Sequence, residues 1–226
     1  MNVSIIVPML NEAKSLALCI KQLKALTPQP LEVIFVDGES GDDSYQIAQS
    51  SGYLTLRSPA GRAQQQNTGA AVANGRILLF LHADTILPIN AISLLESSLN
   101  NNFIWGRFDI RLVSSLRILK TVECMINLRS RWSGIATGDQ AIFVLKSEFI
   151  KVGGFPSQPL MEDIELSKRL KRLQHPLCLR ESVITSTRRW EKRGVWRTIR
   201  LMWRLRFLYW LGVPANKLAQ AYRHDR

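Results

Sequence analysis

Short apolar runs alternate along the first half of the chain with segments in which apolar residues recur at helical spacing. Val3 to Val7, Val33 to Val36 and Ile77 to Leu81 are nearly continuous apolar runs, too short for a lone helix and typical of strands buried on both faces. Leu16 to Leu26 and Gly61 to Asn74 separate these runs and have helical character. The pattern predicts an α/β fold with a mostly parallel sheet and right-handed crossovers.

The second half of the chain has a more mixed pattern. Phe103 to Val113 combines apolar and basic residues around a glycine, which favours a more exposed or antiparallel strand. Ala141 to Leu145 and Leu177 to Thr185 are two further strand candidates. Helices are expected over the stripe from Leu116 to Ile126 and from Glu162 onward, with Leu166, Leu170 and Leu173 buried.

The tail of the chain carries two different stripes at helical spacing, one basic and one aromatic. Such a basic amphipathic helix can lie in a membrane interface, or it can dock on its own domain or on a second subunit of a homo-oligomer. We expect a catalytic or binding domain over residues 1–190 and a helical extension over residues 191–226. The basic stripe is Arg193, Arg197, Arg200 and Arg204, and the aromatic stripe is Trp196, Ile199, Trp203, Phe207 and Trp210.

The composition of the chain indicates an anionic partner and a cellular compartment. Thirty Lys and Arg against 18 Asp and Glu give a net charge of +12, which favours a nucleotide, nucleic acid or anionic lipid partner. The three cysteines are odd in number and widely spaced, so we expect reduced, buried thiols. No basic region precedes the first apolar run and no apolar stretch could span a bilayer, so we expect a cytoplasmic protein, in contact at most with the inner face of the membrane.

Acidic residues recur just past the predicted strands of this basic chain. The carboxyl ends of parallel strands form the ligand-binding edge of an open α/β sheet, and Glu12, Asp37 and Asp84 all fall there. Asp84 either holds a divalent cation that binds a diphosphate or merely caps the next helix. Asp37 either accepts hydrogen bonds from a nucleoside or caps a turn. Asp163 sits at a helix start, where the helix dipole alone would explain it, and where it could also take a proton.

Two pairs of residues that contain arginine are further candidate ligands for phosphate or nucleotide. Arg62 and Gln66 are one helical turn apart and could face a nucleotide, whereas Arg188 and Arg189 could bind phosphate oxygens or form a solvated basic turn. The chain contains neither G-x-G-x-x-G nor a P-loop, so the common dinucleotide and P-loop functions lose support.

Together these segments resemble the nucleotide-sugar-dependent glycosyltransferases of family 2, which have the GT-A fold. The resemblance covers roughly residues 2 to 190, and its specificity lies in the order and spacing of six motifs. These motifs are S-I-I-V-P-M-L-N-E (Ser4 to Glu12), V-I-F-V-D-G-E-S-G-D-D-S (Val33 to Ser44), N-T-G-A-A (Asn67 to Ala71), L-F-L-H-A-D-T (Leu79 to Thr85), G-G-F (Gly153 to Phe155) and M-E-D-I-E-L (Met161 to Leu166).

The resemblance implies a role for each motif. A UDP- or GDP-type sugar would be the donor, Mn²⁺ or Mg²⁺ would be bound through Asp84, and Asp163 would be the catalytic base. The implied donor-binding residues are Pro8, Asn11, Glu12, Asp37, Gly38, Arg62, Gln66, Asn67, His82, Ala83, Asp84, Arg188 and Arg189. The implied acceptor-binding residues are Gly138, Asp139, Gln140, Glu162 and Trp190.

His82 stands where the family more often has Asp, which leaves Asp84 as the one carboxylate of that motif. A neutral histidine can still bind Mn²⁺ or face the sugar. The histidine form, with A-G-R-A-Q-Q-Q-N (Ala60 to Asn67), G-D-Q (Gly138 to Gln140) and R-R-W (Arg188 to Trp190), is similar to a bacterial subgroup labelled as arsenosugar-biosynthesis glycosyltransferases.

We therefore expect an inverting transfer of sugar to an acceptor that the sequence does not identify. Two alternatives remain at this point. A nucleotidyltransferase on a similar sheet would normally have a glycine-rich loop after its first strand, and Pro8 to Lys14 contains no glycine. A non-enzymatic binder of nucleic acid or membrane would have no use for acids at three strand ends, so we expect no nucleic-acid partner.

Overall fold

The fold is an α/β sandwich around one mixed sheet, seen in a computed structural model that describes residues 2–99 and 102–224. The side chains of residues 189, 192, 223 and 224 fall outside this description. The strands are β1 (Val3–Met9), β2 (Glu32–Asp37), β3 (Leu54–Arg57), β4 (Ile77–Phe80), β5 (Trp105–Leu112), β6 (Phe143–Leu145) and β7 (Leu177–Thr185).

The helices follow the strands in the alternation that the apolar pattern predicts. A short 3-10 helix, Gly138–Gln140, lies between α5 and β6. The helices are α1 (Ala13–Lys24), α2 (Ser44–Ser50), α3 (Arg62–Val72), α4 (Ala91–Ser98), α5 (Ile118–Ser133), α6 (Lys146–Lys151), α7 (Glu162–Lys171), α8 (Arg188–Arg193), α9 (Val195–Trp210) and α10 (Ala215–His224).

The sheet order is β3-β2-β1-β4-β6-β5-β7. The first four strands in this order are all parallel, β6 runs antiparallel to both β4 and β5, and β5 is parallel to β7. The predicted fold is therefore confirmed, including an antiparallel neighbour for β5. The carboxyl ends of β1, β2 and β4 meet at one edge, which is where the acidic loops were expected.

Two apolar layers cover the two faces of the sheet. Alternate residues of each strand point to opposite faces, so Ile5 belongs to one cluster with Leu16 and Leu95, whereas Ile6 belongs to the other with Phe80. These residues are at most 2% exposed. A third, smaller cluster joins the start of α7 to the tail helices through Met161, Ile164, Leu205 and Leu218.

Some local details differ from the predictions. Asn11 lies just before α1, adopts a left-handed backbone with φ 55° and binds the next loop. The strand β5 has the antiparallel neighbour that was one of the two predicted alternatives, but it is largely buried, and its fully buried Arg107 is accommodated by an ion pair with Asp109. Leu116 and Leu173 fall just outside their helices and are exposed.

The cysteines are all free, but only one is buried as predicted. Cys19 lies in the core beneath the site, whereas Cys124 is exposed and Cys178 is half-buried. Burial, together with the carboxylates of Asp84 and Glu12, raises the pKa of the Cys19 thiol to about 12. Within the described ranges, no helix is long and apolar enough to cross a bilayer.

Candidate active site

The loops after β1 and β2 are joined into one structure at the carboxyl edge of the sheet. The amide of Asn11 donates to Oγ of Ser40 at 3.0 Å, and the amide of Gly41 donates to Oδ1 of Asn11 at 2.8 Å. The amide of Glu12 likewise donates to Oγ of Ser44 at 2.8 Å. These bonds satisfy exposed loop amides and fix the two loops relative to each other. The predicted donor residue Asn11 therefore shapes the site through its side chain.

Asp37 lies at the end of β2 beside a cavity of about 250 Å³. Its carboxylate is 2% exposed, with Oδ2 accepting from the amide of Ser40 at 3.1 Å and Oδ1 buried without a hydrogen-bond partner in the described part of the chain. The Arg57 guanidinium lies 4.1 Å above the ring of Tyr45 on the cavity wall. A buried acceptor beside a planar cation–aromatic pair is suited to a nucleoside.

Asp84 and Glu12 lie on either side of a guanidinium. Nη2 of Arg188 is 3.8 Å from Oδ2 of Asp84 and 3.8 Å from Oε2 of Glu12. All three side chains are partly exposed, so the pairing is a weak, solvent-screened one that a bound anion or cation can rearrange. The structure thus brings together residues from the loops after β1 and β4 and from α8. The side chain of Arg189, the other predicted arginine, lies outside the described residues.

A larger cleft of about 510 Å³ opens beside this cluster, between α1 and the end of β7. Lys14, Leu18, Asp84, Ile184 and Arg188 are among the residues that line it. Ala83, predicted to contact the donor, is 5% exposed and lines this cleft as well.

A divalent cation at this site would have few protein ligands. No group of three His, Cys, Asp or Glu side chains that could hold a metal occurs in residues 2–99 and 102–224. Asp84 and Glu12 offer the hard oxygen donors that Mg²⁺ and Mn²⁺ prefer, and Mg²⁺ in particular is often held by one or two carboxylates together with phosphate oxygens. The residues present fit an ion that a diphosphate would help to hold.

His82 packs on the short 3-10 helix. A Cβ added to Gly138 would lie 2.6 Å from Nε2 of His82 and 3.8 Å from Oδ2 of Asp163. The amide of Gly138 donates to Oδ2 of Asp163 at 2.8 Å, and the amide of Ile164 donates to Oδ1 at 2.7 Å. His82, Gly138 and Asp163 therefore form one cluster, in which glycine is the residue that allows the close approach.

Glu162 and Arg62 form an ion pair beside Asp163. Oε1 of Glu162 is 3.2 Å from Nη1 of Arg62, and the Glu162 side chain is 3% exposed. Burial raises the pKa of Glu162, the neighbouring Asp163 raises it further, and Arg62 opposes both. The Arg62 side chain is 46% exposed, so desolvation lowers its pKa only in part, and the nearby carboxylates of Glu162 and Asp163 raise that pKa overall. Arg62 was predicted to contact the donor and Glu162 the acceptor, yet the two bind each other.

Two arginines that the sequence did not single out lie close to this cluster. Arg129 comes from α5 and Arg206 from α9, and the described residues give no hydrogen-bond partner to Nε and Nη2 of Arg129 or to Nε of Arg206, all buried atoms. Burial lowers the pKa of Arg129 to about 10, Arg206 lowers it too, and Asp139 and Asp163 act in the opposite direction. No local signal marks these two among 30 basic residues, because their position depends on how α5 and α9 pack.

The structure gives several other predicted ligands a structural role instead. Asn67 uses both ends of its amide on the G-G-F turn, donating to the carbonyl of Phe155 at 2.8 Å and accepting from its amide at 3.0 Å. Gly38 is packed so closely that a Cβ would lie 2.8 Å from the Gln65 side chain. Gln66 is 2% exposed, with its Oε1 buried, which leaves little of it accessible to a nucleotide.

Three more of the predicted ligands are buried or partly buried in structural contacts. Pro8 is buried inside β1, opposite Val36 of β2. Gln140 is fully buried, and its Oε1 accepts from the amide of Thr137 at 3.1 Å in a capping box of the 3-10 helix. Trp190 is partly buried against the main apolar cluster. Asp139, by contrast, remains beside Gly138 at the site, with a buried Oδ1 that lacks a partner among the described residues.

The amino-acid sequence of this chain matches a known family. The family model described as glycosyl transferase family 2 matches residues 4–150, which is well over half of the chain. The chain therefore belongs to glycosyl transferase family 2, and the resemblance drawn from its motifs is confirmed. Its similarity to the arsenosugar subgroup stays a prediction.

Individual relatives agree with this assignment. Over 100 residues the chain is 31% identical to the glycosyltransferase GlyG of Streptococcus pneumoniae serotype 4 (strain ATCC BAA-334 / TIGR4), a match that covers 41% of this chain and 33% of GlyG. Residues 1–349 of S. aureus TarS in complex with UDP match its structure with a TM-score of 0.68 and 18% identity, over 82% of this chain and 60% of that one.

A third similar structure is the mannosyltransferase PcManGT from Pyrobaculum calidifontis in complex with GDP-Man and Mn²⁺. Its TM-score is 0.68 at 18% identity, and the match covers 91% of this chain and 60% of PcManGT. These solved structures establish the GT-A fold. The chain spans only part of each relative, about a third of GlyG and 60% of the two structures.

Proposed function

We propose that this chain transfers a sugar from a nucleoside diphosphate, of the UDP or GDP type, to an acceptor nucleophile with inversion at the anomeric carbon. The observation that carries the proposal is the placement of three carboxylates along one edge. Asp37 lines a nucleoside-sized cavity, Asp84 adjoins an arginine, and Asp163 is held by two amides. UDP and GDP-Man bound in TarS and PcManGT support the donor class.

Donor binding would use the two clusters at the ends of β1, β2 and β4. The free lone pairs of Asp37 Oδ1 would accept a hydrogen bond from the base or ribose, next to the Tyr45 and Arg57 pair. Arg188 would pair with the diphosphate, since a guanidinium matches the geometry of phosphate oxygens. Asp84, with Glu12 nearby, would hold Mn²⁺ or Mg²⁺, and the Mn²⁺ bound in PcManGT supports this choice. When bound, the ion would supply positive charge to the leaving diphosphate.

Asp163 is the proposed general base. As the acceptor hydroxyl attacks the anomeric carbon, its proton would move to the carboxylate of Asp163, the new C–O bond would form, and the bond to the diphosphate would break. A single displacement of this kind inverts the anomeric centre. Arg188 would balance the charge that develops on the leaving diphosphate. The amides of Gly138 and Ile164 fix the orientation of the carboxylate before the acceptor binds.

The two earlier alternatives lose their support at this point. A nucleotidyltransferase is disfavoured because the chain belongs to a glycosyltransferase family over residues 4–150. A non-enzymatic polyanion binder is disfavoured because Asp37 and Asp163 are held in place by backbone amides in partly buried positions.

The test is a thermal-shift screen of UDP, GDP and their sugar conjugates, with and without Mn²⁺. A true donor should raise the melting temperature by an amount that follows RT ln(1 + [L]/Kd), and the shift should depend on Mn²⁺. Asp84→Asn should lose the Mn²⁺-dependent part, whereas Glu181→Gln, an exposed change on β7, should behave like the unchanged protein. If no nucleotide stabilises the protein under any metal condition, the proposed donor class is wrong.

A further inference from the structure

The outward face of α9 is made largely of aromatic side chains. Trp196, Trp203, Phe207 and Trp210 recur at intervals of seven, four and three residues, so they share one side of the helix. They are 67%, 64%, 58% and 74% exposed, and the rings of Phe207 and Trp210 stack at 6.1 Å. We call these four residues the aromatic face. Soluble surfaces rarely leave so many large apolar side chains adjacent to one another without a binding role.

This face is not the one through which α9 docks on the protein. The buried residues of α9 are Val195, Thr198 and Leu205, on the opposite side of the helix. Leu205 is 1% exposed and packs with Met161 and Ile164 at the start of α7. The helix therefore docks on its own domain through Leu205, and of the stripe predicted from the sequence Ile199 also packs against the core, whereas the four rings of the aromatic face stay exposed. The helix is already held by its other side, and its aromatic face is left for another surface.

The charged residues of the tail segment that carries the aromatic face are all basic. Arg200 and Arg204 are exposed on α9, within one turn of Trp203 and Phe207. Residues 192–224 contain eight Lys and Arg and no Asp or Glu. A second copy of the chain would bring like charges together, which opposes self-association through this face. An anionic surface would instead satisfy the arginines while it covers the rings.

We propose that the aromatic face of α9 binds the interfacial region of an anionic lipid bilayer, with the helix axis lying in the membrane plane. Tryptophan combines a large apolar ring with one N–H donor, and it is enriched at the boundary between acyl chains and head groups for that reason. Arginine side chains next to the rings reach anionic head groups from the same depth. The 16-residue helix α9 is amphipathic, and such helices lie in the plane of the membrane interface.

A second exposed apolar strip lies on α5, the helix that carries Arg129. Met125, Leu128 and Trp132 are spaced by three and four residues, and the Trp132 side chain is 95% exposed. The strip on α5 is a separate exposed apolar surface, and its contribution to vesicle binding can be measured separately.

The experiment uses the full chain and vesicles of phosphatidylcholine with or without phosphatidylglycerol. The unchanged protein should sediment with the anionic vesicles, should bind the neutral ones far less, and should be released as NaCl is raised. The triple variant Trp203→Ala, Phe207→Ala, Trp210→Ala should lose about 10-fold or more of its vesicle affinity. Its matched control, Ile89→Ala with Ile150→Ala, removes two exposed apolar side chains from other surfaces and should leave binding unchanged.

Charge is tested in the same assay with a second pair of variants. Arg200→Gln with Arg204→Gln should weaken binding to anionic vesicles and reduce its salt dependence, whereas Lys21→Gln with Lys24→Gln, an equal charge loss on α1, should not. Melting temperatures should stay close to that of the unchanged protein, because all of these side chains are exposed. The proposal is overturned if the unchanged protein ignores anionic vesicles, if the aromatic variant binds them equally well, or if the aromatic variant instead converts a dimer into a monomer.

Discussion

The backbone amide of Gly138 donates a 2.8 Å hydrogen bond to Oδ2 of Asp163. The first residue begins the short 3-10 helix before β6, and the second lies in the first turn of α7. The bond therefore joins the start of the 3-10 helix to the start of α7, at the point where the proposed base must face the acceptor. Since the amide of Ile164 binds the other carboxylate oxygen at 2.7 Å, both oxygens are oriented before any substrate arrives. Such preorganisation is what a general base needs.

Replacing Asp163 with Asn should stop the chemistry while preserving donor binding. The amide keeps the shape of the side chain but cannot take a proton, so the transfer rate should fall by about 100-fold or more. Affinity for the nucleoside diphosphate, measured by calorimetry, should change little because Asp163 lies with Gly138 and not with Asp37 or Asp84. Near-normal transfer by the variant would move the base to Asp139, since Glu162 is already paired with Arg62.

Gly138→Ala tests whether the position of this cluster matters. The new Cβ would lie 2.6 Å from Nε2 of His82, so His82 or the 3-10 helix must shift. A displacement of about 1 Å between base and acceptor can cost about 100-fold in rate. Steady-state kinetics should show this loss mainly in kcat, with donor affinity nearly intact. A variant with an unchanged kcat would show that the close packing of His82 against this helix is dispensable.

Arg188→Gln should weaken the binding of the diphosphate. Charge-assisted hydrogen bonds of this type contribute about 1.5–3 kcal/mol, so we expect roughly a 10-fold or greater loss of affinity for UDP or GDP. Arg180→Gln, an exposed change on β7, is the matched control and should have no effect. If the nucleotide binds the Arg188 variant as tightly as before, then this arginine serves only to neutralise Glu12 and Asp84.

Glu162 makes a pH-dependent contribution to stability whose sign follows from its environment. Burial and Asp163 raise its pKa in the folded state above the ordinary 4.5, despite Arg62. The folded protein then holds more protons than the unfolded chain just above pH 4.5, so this group's contribution to stability falls as pH rises through that window. Glu162→Gln should flatten this fall. Melting temperatures of both proteins across the acidic range measure it.

The pH dependence of the melting temperature can also contradict this prediction for Glu162. The advantage of Glu162→Gln over the unchanged protein should grow from acidic toward neutral pH. If the unchanged protein instead gains on the variant as pH rises, the attraction between Glu162 and Arg62 outweighs the cost of burial. That result would leave the ion pair as a net stabilising contact.

The sequence alone determined the sheet and the edge at which the site lies. The runs that became β1, β2 and β4 are local patterns of apolar residues, and such patterns report directly that both faces of a strand are covered. Because parallel strands share one carboxyl edge, the position of Asp37 and Asp84 just past two of these strands was enough to place them together. The helix start at Glu162 was equally visible from its acids and its apolar stripe.

Only the tertiary structure decided which side chains meet within the site. Arg62 and Glu162 are 100 residues apart in the chain, and no periodic pattern can show that they pair. Asn67 and Gln140 were predicted as ligands, but the structure commits them to backbone groups. Arg206 lies on α9, which packs against Met161 and Ile164 at the start of α7, and this packing is between elements distant in sequence.

The sequence of the tail predicts a helix but does not show which side of that helix is buried. Helix α9 is apolar on two sides, with Leu205 on one and Trp203 on the other, so periodicity identifies a helix but not its buried face. That choice depends on which side fits the surface formed by Met161 and Ile164, a matter of shape between elements distant in sequence. Local patterns therefore determined the helices and strands of this protein, whereas packing between them decided which side chains are buried and which meet.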